Sequence, residues 1–120
     1  AAGGRIDIVV TGDDFGAQTN LLISPRMWQS FLEDGFRQYV RLIKSSGAKV
    51  MHHTCGSVEP LIPRLIDCGL DILQSVQPEA RGMTGEALKQ KYGDKLCFPE
   101  LTVADKWNAN ILRGDARVKE

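Results

Sequence analysis

The chain has 120 residues, 42% of them hydrophobic and 25% charged, which places it among ordinary globular proteins of at most one domain, residues 1–120. Fifteen basic residues balance fifteen acidic ones and no Lys/Arg run stands out, so the footprint of a nucleic-acid partner is missing. No apolar run approaches the ~18 residues of a membrane span, and Ala1-Ala2-Gly3-Gly4-Arg5 does not read as a secretory leader. Three widely spaced cysteines, Cys55, Cys68 and Cys97, do not make a disulfide framework. A cytoplasmic setting with reduced thiols is expected.

In chain order, a short apolar run alternates with a helical pattern four times. Ile6 to Val10 is rich in β-branched residues and reads as a strand running into the polar loop 11–16. Ser24-Pro25 opens a helix, with serine as N-cap and proline at the first helical position. Trp28, Phe31, Leu32, Phe36, Tyr39, Val40 and Ile43 recur at helical spacing as its buried stripe, and Gly47 stops it. Ala48 to His53 is a second strand. Pro63 starts a second helix, with Leu65 and Ile66 facing inward, and Gly69 ends it. Leu70 to Val76 is a third strand. Thr84 caps a short helix through Leu88 and Tyr92, closed by Gly93. Lys95 to Phe98 is a fourth strand, and Thr102 caps a last helix with Trp107, Ile111 and Leu112 as its apolar face. Strand and helix alternating at this spacing imply an α/β fold of four consecutive βα units with a parallel sheet. In such folds the loops after strands carry the site.

His53-Thr54-Cys55 is the sharpest chemical feature. Along an extended chain alternate residues share a side, so the imidazole of His53 and the thiolate of Cys55 can converge on one zinc ion while Thr54 points away. Composition alone favours a plainer reading, a buried free cysteine beside a partly buried histidine. His52 points to the opposite side and reads as structural. Asp13-Asp14, after the first strand, can bind a polar substrate, act as acid or base, or cap a turn, capping being the more frequent role. Gln77, after the third strand, can bond a ligand or satisfy loop backbone. Cys68 reads as a small packing residue, Cys97 faces either the sheet's inner side or the helices, and Trp28 and Trp107 belong to core or interface.

Several runs together resemble the uroporphyrinogen decarboxylase-like superfamily. They are Gly12-Asp13-Asp14-Phe15-Gly16-Ala17-Gln18, Leu22-Ile23-Ser24-Pro25, the stretch from Gly47 through His52-His53-Thr54-Cys55-Gly56, Pro60-Leu61-Ile62-Pro63 and Val76-Gln77-Pro78. The resemblance covers residues 6–98 and is closest to the corrinoid-linked (cobalamin-dependent) methyltransferases, which move a methyl group from a methylcobamide to a thiol. It implies a (β/α)8 TIM barrel, of which the chain holds about half, from roughly the fourth strand to the seventh. It further implies zinc on His53 and Cys55 with a later cysteine as third ligand, Asp13 and Asp14 as catalytic residues, and Gln18 and Gln77 as substrate-binding residues. The ligand would be a methyl-corrinoid or another tetrapyrrole.

Half a barrel leaves two open edges and one uncovered apolar face, so a homodimer is expected to complete it. Two copies of His53 and Cys55 near the axis would form a Cys2His2 set. Two other functions stay open at this stage: part of a porphyrinogen carboxy-lyase, and a non-catalytic oligomerising or ligand-binding half-barrel module.

Overall fold

The computed structural model describes Gly3 and residues 6–99. The helix expected after Thr102, with Trp107, Ile111 and Leu112, lies outside the described residues. Three strands, β1 (Ile8–Gly12), β2 (Lys49–His53) and β3 (Ile72–Gln74), form one parallel sheet in the order β1-β2-β3. The register pairs Val9 with Val50 and Thr11 with His52, and carries on through His52 with Leu73. Helical segments fill each connection, as parallel neighbours require. α1 (Pro25–Phe31) and α2 (Glu33–Ser45) lie between β1 and β2, α3 (Ile62–Asp67) between β2 and β3, and α4 (Gly85–Tyr92) after β3. A single 3-10 turn, Glu59–Leu61, leads into α3. The fold is therefore mixed α/β with a three-stranded parallel sheet.

Two strands are shorter than the sequence implies. The third, expected over 70–76, holds only Ile72–Gln74. Its start is drawn back to α3, where Leu70 N–H donates to Leu65 O at 3.1 Å. Its end is turned by Ser75, whose φ of 73° leaves the extended region. The fourth strand, expected over 95–98, contracts to one parallel bridge between Ile72 and Cys97. Lys95 and Leu96 both donate their N–H to Tyr92 O at 2.9 Å, which holds them to the end of α4, and Pro99 has no N–H to continue a ladder. Four complete βα units are thus not present among the described residues.

The long first helix is two. Ser24 Oγ accepts the N–H of Met27 at 3.2 Å and Pro25 follows at the first position, as expected. At Leu32, with φ −119°, the axis bends. Glu33 and Asp34 then open α2, where negative charge suits the helix N-terminus. Glu33 is held on both oxygens, by Arg37 and by Arg64 of α3, each at 2.9 Å. The bend changes the stripe: Trp28, Phe36 and Val40 are buried and Tyr39 and Ile43 are half-buried, but Phe31 is 77% and Leu32 40% exposed. These last two line a cleft beside α2 and are not core residues.

The core lies between the helices and one face of the sheet. Val50, His52 and Leu73 point into it and meet Trp28, Phe36, Leu65 and Leu88, all buried. A fully buried leucine or valine here contributes roughly 1.5–3 kcal/mol. Period-two alternation sends Ile8 and Val10 to the other face, where they are 44% and 59% exposed. Among the described residues, that face has no helix over it.

Candidate metal centre

The site is built where β1, β2 and β3 end, from three loops that tie into one another. Asp13 N–H donates to His53 O at 3.1 Å, continuing the ladder one step past β1. Phe15 N–H donates to Thr54 Oγ1 at 2.9 Å, which turns Thr54 toward the core. Ser57 N–H donates to Ala17 O at 2.8 Å, and Gly56 N–H to Gln77 Oε1 at 2.9 Å. Gly16 and Gly56 pack backbone to backbone, so close that a Cβ on Gly56 would lie 2.5 Å from Gly16 C and O.

This knot brings three side chains together. His53 Nε2 stands 3.5 Å from Cys55 Sγ. One carboxylate oxygen of Asp14 joins them, all three donor atoms lying within 4.8 Å of one another. Asp14 is positioned by its own carboxylate, whose Oδ1 accepts the N–H of Cys55 at 2.9 Å. That bond is the main reason its pKa falls below the ordinary aspartate value, with the nearby histidines adding to it. Asp14 is thus an anionic donor near neutral pH, unsuited to being a general acid. Cys55 has a further neighbour, the hydroxyl of Ser75 at 3.7 Å.

The donor set fits zinc. A sulfur at about 2.3 Å and a nitrogen at about 2.05 Å from a tetrahedral zinc stand about 3.6 Å from each other. The spacing of 3.5 Å between Cys55 Sγ and His53 Nε2 matches that edge without rearrangement. Asp14, whose residue is exposed and whose oxygen lies within 4.8 Å of both other donors, is the third corner available.

No family model, curated protein or solved structure matches the chain. Its chemistry is therefore read from these side chains.

The remaining candidates divide differently. Asp13 is not part of the three-donor group; with Asp14, Phe36 and Tyr39 it lines the cleft of about 480 Å³. Gln77 Oε1 is engaged by the backbone of Gly56, a loop-building contact. Gln18 has an exposed side chain, and its carbonyl accepts the N–H of Arg81 at 3.1 Å. Cys97, exposed on the far side of β3, does not join the cluster, and Cys68 is a buried thiol whose pKa burial pushes up. Another cleft, of about 650 Å³, lies between Ser24, Glu59 and Arg81 and includes none of the three donors.

His52 is built into the core as the sequence implies. It is 1% exposed and stacks on Phe15 with ring centroids 5.2 Å apart. Its Nδ1 lies 2.9 Å from Thr11 Oγ1 and 3.2 Å from Tyr39 Oη, and its Nε2 is a buried nitrogen with no hydrogen-bond partner. Burial, the dominant cause, pulls its pKa down to about 4, so the ring is neutral. Burial likewise pushes the Tyr39 phenol up to about 12. Sequence reasoning missed Ser75. A serine in the left-handed region has no signature in a single sequence, since glycine or asparagine is the usual sign.

Proposed function

We propose that the chain is a uroporphyrinogen decarboxylase-like domain related to the zinc-dependent methylcobamide methyltransferases, with His53, Cys55 and Asp14 as its zinc ligands. The observation that carries this reading is the 3.5 Å approach of His53 Nε2 to Cys55 Sγ at the carboxyl ends of parallel strands. Bound zinc would supply Lewis acidity that favours the thiolate form of a substrate thiol. The protein's own part is to hold the donors. The Cys55 backbone is fixed by Asp14, and Gly56 by Gln77, so the sulfur and imidazole are aligned before any ligand arrives. Methyl transfer from a methyl-corrinoid to that thiol forms a carbon–sulfur bond. The thiol loses its proton, and the corrinoid keeps the electron pair of the broken bond.

Purified protein is expected to bind one zinc per chain. His53→Ala and Cys55→Ser should each lower affinity more than roughly 100-fold, because an outer-shell partner alone is worth about 10–100-fold. Asp14→Asn should cost less. Zinc titration against a chelating dye reads this directly, and methylation of a simple thiol by methylcobalamin reads the activity. Absence of zinc binding would sink the metal centre. Tight zinc in the wild type with no thiol methylation would leave a non-catalytic module instead of the transferase, and equal zinc affinity in Cys55→Ser would remove Cys55 from the ligand set.

The sheet face that no described helix covers favours one addition to this reading, a homodimer in which a second copy completes a half (β/α)8 barrel. Ile8 and Val10 are apolar and exposed there, and β1 is an edge strand in the described sheet. Sedimentation velocity at micromolar concentration is expected to give twice the chain mass, and Val10→Lys to give the monomer. A monomeric wild type ends this proposal.

A further inference from the structure

Ser75 combines two features that a passive loop residue does not need. Its φ of 73° places a side-chain-bearing residue in the left-handed region, where the other described positive-φ positions are all glycines. Such a conformation costs free energy for a residue with a Cβ, and it persists only where the surroundings impose it. The strained turn ends β3 and delivers the hydroxyl to 3.7 Å from Cys55 Sγ. His53 approaches the same sulfur at 3.5 Å.

We infer that Ser75 is a positioning residue for the Cys55 sulfur, donating its hydroxyl hydrogen bond to the thiolate that ligates the metal. The inference rests on the zinc reading above and deepens it. In the neutral thiol either partner can be the donor. Once Cys55 is a thiolate it has no proton, and only Ser75 can donate. A hydrogen bond from a fixed hydroxyl orients the sulfur lone pairs and spreads part of the anionic charge, as outer-shell partners do around other metal ligands. The hydroxyl accounts for why the position carries serine at a conformational cost. Glycine would relax the backbone, but it has no donor.

Two variants separate the hydroxyl from the turn. Ser75→Gly removes the donor and relieves the left-handed strain; Ser75→Ala removes the donor and keeps the strain. Both are expected to weaken zinc binding by about 10-fold in a chelator competition using the full chain and zinc alone. Their melting temperatures should part, Ser75→Gly rising by roughly 4 °C and Ser75→Ala staying near wild type. A serine that serves only the turn predicts the same stability pattern with unchanged zinc affinity, and that result overturns the inference while leaving the metal centre standing. Failure of the wild type to bind zinc overturns both, and is distinguishable because no affinity difference then exists to measure. Equal zinc loss in the two variants, against diverging stabilities, supports the hydroxyl role.

Discussion

Gly56→Ala is expected to be among the most damaging substitutions in the chain, removing more than roughly 3 kcal/mol of stability and abolishing zinc binding with it. Two effects add. The residue sits at φ +82°, where any Cβ is strained. The new Cβ would also meet Gly16 C and O at 2.5 Å and Ala17 O at 2.7 Å, all backbone atoms that cannot swing aside. Relief requires the loops after β1 and β2 to part, which breaks the bond from Ser57 N–H to Ala17 O and shifts Cys55 off Asp14. Folding free energies are only about 5–15 kcal/mol, so such a loss approaches unfolding. Gly35→Ala is the internal comparison. Gly35 lies within α2 with nothing within 4 Å of its would-be Cβ, and alanine there should stabilise the helix by about 1 kcal/mol. Urea denaturation of the two variants should move in opposite directions. A Gly56→Ala midpoint equal to wild type would mean that the two loops do not touch as described.

The same contact explains what could be read from the sequence and what could not. The strand cores at Ile8–Val10 and Lys49–His53 and the cap at Ser24-Pro25 are local matters of β-branching and capping, and they were legible; the run of the first strand on through Thr11 and Gly12, expected as loop, is fixed by pairing with His52 and His53. The shared side of His53 and Cys55 follows from alternation alone. Which of Asp13 and Asp14 turns to that pair does not, because the choice is made by a loop more than 40 residues away that supplies the Cys55 N–H. The bend at Leu32 has no proline beside it. It coincides instead with the Glu33 bridges to Arg37 and to Arg64 of α3, the second a long-range contact that periodicity cannot see. The third strand stops early at the left-handed Ser75, and its start, like the expected fourth strand, is drawn back to the preceding helix by Leu70 N–H on Leu65 O and by Lys95 and Leu96 N–H on Tyr92 O. Apolar pattern located the elements, and backbone bonds that pattern does not encode set where they end.

Acid should destabilise the protein through His52 well before its carboxylates protonate. The folded-state pKa of about 4 lies below the value of 6.5 for an unperturbed histidine. Between those values the unfolded chain binds a proton that the native state refuses, so stability falls as pH falls. The contribution is fully present above pH 6.5 and is lost progressively toward pH 4. With 1.36 kcal/mol per unit, the whole window is worth roughly 3 kcal/mol, discounted if the acid state opens locally. The cause is structural: the ring is 1% exposed, is stacked on Phe15 and packs edge-on to Phe36, with only Thr11 and Tyr39 hydroxyls at Nδ1. An imidazolium would place a second charged N–H in that apolar surround, and the Asp13 backbone and the Asp13 and Asp14 charges that favour it do not offset the cost of burial. Urea unfolding at pH 7 and pH 5 is expected to show the drop, and His52→Gln to flatten it while lowering stability at pH 7 through lost packing. His53 faces the other side, with Cys55 and Asp14, so His53→Ala should leave this acid limb in place. Equal acid sensitivity in wild type and His52→Gln would assign the effect to other groups and remove His52 from the account.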